Sequence, residues 1–139
     1  MNIRNNFQII GRLTQDPTVF ENSDGSRKVR ITLAAKDNFK DKAGEQGSQF
    51  LPAEAFISAD NFKQYGLGVY ANMHQGDLVA VTGQIQNNNY TDKNGTAHYD
   101  LVLHIETRDM MEPKSVTDQR AINRAVAAED AAAGEGPVE

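Results

Sequence analysis

Aliphatic and polar side chains alternate with a period of two in four segments of the chain, at residues 28–36, 49–57, 77–86 and 98–108. This is the period at which successive side chains of a β-strand point to opposite faces of a sheet. The short apolar segment at residues 7–13 predicts a further strand, which ends before the turn at Asp16 and Pro17. The pattern therefore predicts an all-β chain of five strands.

Two long hairpins and one helix are predicted to connect these strands. The polar loops at residues 41–48 and 91–96 contain glycine, as a hairpin turn requires. Between the third and fourth strands, residues 58–73 space apolar side chains three or four apart, which predicts one helix with Ser58 or Asp60 as its N-cap. Five strands with a helix between the third and fourth and long hairpin loops match the OB-fold, a five-stranded β-barrel.

The third predicted strand places aromatic rings on its polar face. Leu51, Ala53 and Ala55 share one parity, whereas Phe50 and Phe56 share the other. If the aliphatic set packs in the core, both phenylalanines point outward. The same strand contains a proline at position 52, which cannot donate to a sheet ladder and predicts a bulge or an edge there.

Charge is distributed unevenly along the chain. The formal net charge is -5, which by itself argues against binding a polyanion. Residues 27–42 nevertheless contain six basic and two acidic side chains, whereas residues 115–139 contain two basic and five acidic ones. A basic strand region and an acidic tail are thus separate, so a phosphate-facing patch is compatible with the overall charge.

Several classes of protein are excluded by composition. No stretch reaches the roughly 18 continuous apolar residues of a membrane span, and residues 1–6 are too polar for a signal peptide, so a cytoplasmic protein is expected. The chain has no cysteine, and His74, His98 and His104 are scattered, so neither a disulfide framework nor a metal site is predicted. No nucleophile motif or paired carboxylates are present, and we expect no catalysis and no cofactor.

Four segments resemble the single-stranded DNA-binding proteins of bacteria, phages and plasmids, at residues 9–17, 38–42, 75–85 and 89–95. Their order and spacing agree with that family over roughly residues 3 to 110. The resemblance implies an OB-fold that coats single-stranded DNA in replication, recombination or repair, assembled as a homotetramer. It implies a location in the cytoplasm at the nucleoid, or in a host cytoplasm if the protein is encoded by a phage or plasmid.

The resemblance also implies which residues contact DNA. Family members stack bases on aromatic rings in the first long hairpin, along the third strand and in the last hairpin, which here correspond to Phe39, Phe50, Phe56 and Tyr90. Phosphates would be neutralised by nearby cations, namely Arg30, Lys36, Lys40, Lys42 and Lys93. The chain contains no tryptophan, which the family often uses at these places, so weaker base contacts are expected. The remaining rings Phe7, Phe20, Phe62 and Tyr99 are expected to be structural.

Two parts of the chain depart from the family pattern. The segment at residues 60–73 is several residues longer than usual, and its role is open. Residues 1–112 are expected to form the OB-fold domain and residues 113–139 an Ala- and acid-rich tail, with a helix at 116–133 followed by disorder at 134–139. The tail ends in Gly-Pro-Val-Glu139 and lacks the aspartate cluster and terminal hydrophobic residue through which such proteins recruit replication and repair enzymes, so tail-mediated recruitment has no support.

Two alternatives remain open at the level of sequence. An OB-fold with outward rings could prefer RNA or serve primosome assembly, because stacking by itself discriminates little between DNA and RNA. The outward aromatic side chains could instead form a subunit or partner interface, as in a protein-interaction module.

Overall fold

The computed structural model describes residues 3–134 of the 139-residue chain as one β-structure with short helices. Its strands are β1 (Phe7–Leu13), β2 (Thr18–Glu21), β3 (Arg27–Lys40), β4 (Gln46–Ile57), β5 (Leu78–Thr91) and β6 (Ala97–Met110). Its helices are α1 (Ala59–Tyr65), a short 3-10 helix (Gly68–Asn72) and α2 (Lys114–Gly134). The order of the long elements is the one expected of an OB-fold.

The five long strands form a closed barrel. The sheet order is β1-β5-β6-β4-β3-β2, and β1 closes the ring by pairing with β3 at Arg12–Ala34 and Leu13–Leu33. All neighbours are antiparallel except β4 and β6, which run parallel and pair only at Ala53–Leu103 and Glu54–His104. The predicted five-stranded OB-fold is confirmed.

The aliphatic face of each strand fills the barrel, as the alternation predicts. Removing these side chains from water is the main favourable contribution to folding, at about 25 cal/mol per Å² of apolar surface. Hydrophobic residues buried in the core come from all five long strands and from the 3-10 segment: Ile9, Leu13, Val29, Ile31, Leu33, Ala53, Ala55, Tyr70, Met73, Val79, Val81 and Ile105.

Three details differ from the sequence prediction. A sixth strand, β2, pairs with the first residues of β3, and its side chains are all exposed, so no hydrophobic alternation marks it. The single helix predicted at residues 58–73 is wrong: Ser58 caps α1 as expected, but the helix stops at Gly66, where φ is +64°, and a 3-10 helix follows. No bulge occurs at Pro52, which stays in register with Thr32 of β3. On its other side β4 pairs with β6 only at Ala53 and Glu54, so Pro52 lies at a free edge of β4, as the alternative prediction had it.

Strands β3 to β6 extend beyond the predicted bounds because both long hairpins continue the ladder past the barrel. There the paired residues are mostly polar and exposed, so the period of two gives no signal. A bulge between Thr82 and Gly83 marks where β5 leaves the barrel. A side chain at position 83 would overlap the carbonyl oxygen of His104, so only glycine fits this close approach.

Helix α2 lies beside the segment that leads into β5 and is held there by charged side chains. Arg120 donates to the carboxylate of Asp77, which is fully buried, at 2.8 Å and to both oxygens of Glu112 at 2.9 and 2.7 Å. Glu112 also accepts from the backbone of Leu78, and Arg124 donates to the carbonyl oxygen of Gln75 at 2.5 Å. No helix in residues 3–134 is long and apolar enough to cross a membrane. The disorder predicted for the end of the tail falls mainly on residues 135–139, which lie outside the described residues.

The ion pair of Arg120 with Glu112 predicts a loss of stability in acid. The hydrogen bond from Arg120 lowers the pKa of Glu112 from 4.5 to about 2. Because the folded-state pKa lies below the unfolded one, this contribution is complete above about pH 4.5 and is lost as the pH falls towards 2. When the pH is lowered from about 5 to about 3, we expect the free energy of unfolding to fall less for Glu112→Gln than for the wild type. Urea unfolding at each pH measures this difference, and equal losses in both proteins would contradict the assignment.

Candidate nucleic-acid interface

The outer face of β3 and β4 alternates cations and aromatic rings. The register pairs Lys28 with Phe56 and Ala34 with Phe50, and side chains paired in this way lie next to each other on one face. Phe50 is 66% and Phe56 58% exposed, so the outward direction predicted by parity is confirmed. Six residues of strand separate the two rings by about 20 Å, so they can contact different nucleotides of one strand.

Phe39 lies where the β3–β4 ladder is irregular. Between the pairs Lys36–Ser48 and Lys40–Gln46, β3 has three residues and β4 has one. Asp37 stabilises this irregularity, because its carboxylate accepts from the amide of Gln49 at 3.0 Å and its carbonyl oxygen from the amide of Gln46. Phe39 follows with its ring 65% exposed, so the bulge presents a ring that simple alternation could not orient.

Tyr90 extends this surface onto the β5–β6 hairpin. It pairs with His98, and the two rings stack with centroids 4.7 Å apart and planes inclined by 12°. Nε2 of His98 lies 2.8 Å from the carboxylate of Asp92, which fixes the imidazole in place and lowers the pKa of Asp92. His98 covers one face of the Tyr90 ring. Because Tyr90 is still 47% exposed, the rest of the ring remains accessible to a base.

The register places Tyr90 on the same side of the sheet as the β4 phenylalanines. Along β5 and β6 the pairs Tyr90–His98 and Gln84–His104 share one face, and His104 in turn pairs with Glu54 of β4. Glu54 has the parity of Phe50 and Phe56. The structure thus brings three of the four predicted stacking rings to one face by register, and the fourth, Phe39, to an exposed position at its end.

The two long hairpins have turns of the same type, and each turn exposes a lysine. In the first turn Asp41 accepts from the backbone of Ala43 and Glu45, and in the second Asp92 accepts from Asn94 and Thr96, all at 2.9 Å. The fourth residue of each turn is a glycine, Gly44 in the first and Gly95 in the second. Their φ values of +80° and +81° are positive, which favours glycine. The sequence Asp-Lys-x-Gly therefore holds Lys42 and Lys93 at the two tips.

The five cations predicted to contact phosphate are all exposed, and within residues 3–134 none has a carboxylate oxygen within 4.0 Å: Arg30, Lys36, Lys40, Lys42 and Lys93. Other basic side chains of the region are already engaged. Lys28 lies 3.8 Å from Glu54 and over the ring of Phe20, and Arg27 lies over Phe62 at 4.0 Å from the ring centre. The surface therefore retains positive charge that is not neutralised by its own carboxylates.

Two rings expected to be structural are exposed instead. Phe20 on β2 pairs with Lys28, which pairs with Phe56, so Phe20 joins the outer face at its edge. Tyr99 is 78% exposed on the opposite face of the β5–β6 hairpin, beside Leu101, because the hairpin extends past the core that the alternation implied. Sequence reasoning did not assign His98 to the stacking surface. Its pairing with Tyr90 and its hydrogen bond to Asp92, six residues earlier, appear only in the folded hairpin.

The chain matches the model of the single-strand binding protein family over residues 4–111. It is 31% identical over 116 residues to a single-stranded DNA-binding protein of Staphylococcus epidermidis, an alignment that covers 83% of this chain and 82% of that protein. It is 33% identical over 112 residues to a protein of the same name from Caldanaerobacter subterraneus subsp. tengcongensis, covering 77% and 67% of the two chains. A third relative, from Malacoplasma penetrans, is 33% identical over 99 residues, covering 71% of this chain and 47% of the relative.

The matched region contains the whole barrel and both long hairpins, and it ends before α2. The resemblance inferred from four sequence segments is thereby confirmed. On this basis the chain belongs to the single-strand binding protein family.

Proposed function

We propose that this protein binds and coats single-stranded DNA without strong sequence preference, in replication, recombination or repair. The observation that best supports the proposal is the outer face of β3 and β4, where exposed Phe50 and Phe56 alternate with unpaired cations in a chain of this family. Every base has a π-face, so stacking on a ring stabilises the complex by about 1–3 kcal/mol per base without selecting a sequence. The family is one of binding proteins rather than enzymes.

The proposed contacts are divided by chemistry. Stacking is assigned to Phe39, Phe50, Phe56 and Tyr90, and phosphate neutralisation to Arg30, Lys36, Lys40, Lys42 and Lys93. The structural domain is proposed to span residues 1–112, with residues 113–139 as an appendage, and the protein to act in the cytoplasm where the DNA is.

A homotetramer is part of the proposal, since the resemblance implies one. The β5–β6 hairpin exposes Ile85, Tyr99 and Leu101 on the face opposite Tyr90. Neighbouring exposed apolar side chains of this kind are typical of interfaces. Sedimentation equilibrium of the full chain measures the assembly, and a monomer at micromolar concentration would contradict this part of the proposal.

Binding is expected to be tight for a fluorescent oligo(dT), much weaker for a duplex of equal length, and strongly salt-dependent. Five phosphate contacts to a single strand predict a slope of log K against log salt of about -3.5 for each protomer. Titration at several salt concentrations measures this slope. A double variant, Lys36→Gln with Lys40→Gln, should reduce its magnitude by about 1.4, whereas Lys114→Gln on α2 should leave it unchanged.

Two results would contradict the proposal. Equal affinity for the single strand and the duplex would mean that bases are not bound. A matched oligoribonucleotide that competes better than the DNA would favour the RNA-binding alternative, because shape and the 2′-hydroxyl are the features that distinguish the two strands.

A further inference from the structure

A cavity of about 280 Å³ opens beside Phe56, where β4 and β6 separate. The two strands pair at only two positions and run in the same direction, so residues 55–57 and 105–108 diverge beyond the last pair and form two walls. The third wall is the segment from α1 through the 3-10 helix, where the sequence resemblance predicts an insertion relative to the family. This space is called the insertion pocket below.

The insertion pocket combines aromatic rings with a positive charge. Phe56 and Tyr65 are exposed, whereas Tyr70 is buried in the wall. The guanidinium carbon of Arg108 lies 5.3 Å from the centre of the Tyr70 ring. Gly68 lies next to Arg108, since a side-chain carbon at position 68 would be 3.7 Å from Nη2, in ordinary van der Waals contact.

Polar groups of the pocket suit a nucleotide. Asn61 offers an amide and Glu106 a carboxylate, which can accept hydrogen bonds from amino groups of a base edge. Arg108 is the cation among the lining residues, and no carboxylate oxygen lies within 4.0 Å of it in the described part of the chain. Burial raises the pKa of Tyr70 to about 12, so its hydroxyl stays protonated at neutral pH and adds no negative charge beside the arginine.

We propose that the insertion pocket receives one nucleotide of the bound strand, with its base beside Phe56 and Tyr65 and its phosphate at Arg108. The volume lies near the lower end of the range for small-molecule sites, which suits a single nucleotide. The pocket adjoins Phe56, a ring on the proposed DNA path, so a strand that stacks there can continue into it. This inference rests on the proposed function and assigns the insertion a role in it.

The test replaces residues of the pocket that are not part of the outer face. Tyr65→Ala and Arg108→Gln should each weaken binding of a fluorescent oligo(dT) by about fivefold or more, through lost stacking and a lost phosphate contact. Matched controls are Ile122→Ala, an exposed apolar side chain on α2, and Lys114→Gln, a cation on the same helix. Urea unfolding of Arg108→Gln shows whether the barrel is intact, and Tyr65 is exposed enough that its loss leaves the core unchanged.

A second readout locates the strand directly. An oligonucleotide that contains 5-iododeoxyuridine is cross-linked to the wild-type protein by light, and the modified residue is identified by tandem mass spectrometry. Cross-links at Tyr65 or Tyr70 support the proposal. Wild-type affinity in both variants, with cross-links confined to the rings of the outer face and hairpins, would overturn it and leave the proposed function standing. Failure of the wild-type protein to bind oligo(dT) at all would overturn both.

Discussion

Replacing Phe39, Phe56 and Tyr90 together by alanine is expected to lower the affinity for oligo(dT) by at least about a hundredfold, because each ring contributes about 1–3 kcal/mol of stacking. The three rings lie on β3, on β4 and on the β5–β6 hairpin, so they contact different nucleotides and their losses should add. All three are exposed, and none belongs to the buried core, so the variant should fold. Fluorescence titration at one fixed salt concentration measures the loss.

The control for this variant is Ile122→Ala, which removes an exposed apolar side chain of α2, away from both the proposed DNA path and the proposed interface between protomers. It should bind oligo(dT) like the wild type. Sedimentation of all three proteins separates stacking from assembly. If the triple variant binds oligo(dT) normally, the three rings are not a surface for bases. If the wild type does not bind the oligonucleotide and the triple variant has a different oligomeric mass, the rings form an interface between proteins.

Replacing Arg120 by methionine is expected to lower the free energy of unfolding by about 3 kcal/mol, because it leaves a buried carboxylate without its partner. Asp77 is fully buried and would keep the backbone N–H of His74 as its hydrogen-bond donor, with Nδ1 of the same histidine 3.7 Å away. Glu112 would lose both hydrogen bonds from the guanidinium. Urea unfolding followed by circular dichroism measures the loss.

Two further variants test the cause of that loss. Lys114→Gln breaks the exposed pair of Lys114 with Asp118 on the same helix and should cost at most about 1 kcal/mol. Adding Asp77→Asn to Arg120→Met should restore part of the stability, because the asparagine removes the unpaired charge and can still accept from His74. A stability unchanged by Arg120→Met would show that α2 is not held by this network.

His98 adds a feature to the proposed mechanism that no sequence motif indicates. Its ring stacks on one side of Tyr90 and is itself oriented by a hydrogen bond to Asp92. The stack restricts rotation of the tyrosine ring and so preorganises it for binding a base. Fixing a ring before binding reduces the entropy that the complex must lose. This arrangement offers a physical way for a tyrosine to serve where the family often has a larger ring.

The sequence by itself determined the alternating strands that build the barrel and the side of β4 that faces outward. A period of two is a local property, because each side chain's face depends only on the direction of its neighbours along the strand. The burial of Val29, Ile31 and Leu33 and the exposure of Phe50 and Phe56 therefore followed from the printed residues. The capping role of Ser58 is equally local and was also predictable.

Only the tertiary structure decided which distant residues meet. The exposed strand β2, the stack of Tyr90 on His98 and the position of Phe39 depend on pairing register, which polar strands do not encode in their alternation. The pair of Arg120 with Asp77 joins residues 43 apart, and the insertion pocket exists because two parallel strands diverge after two pairs. Such contacts result from closing the barrel and docking α2, so they are properties of the whole chain rather than of any segment.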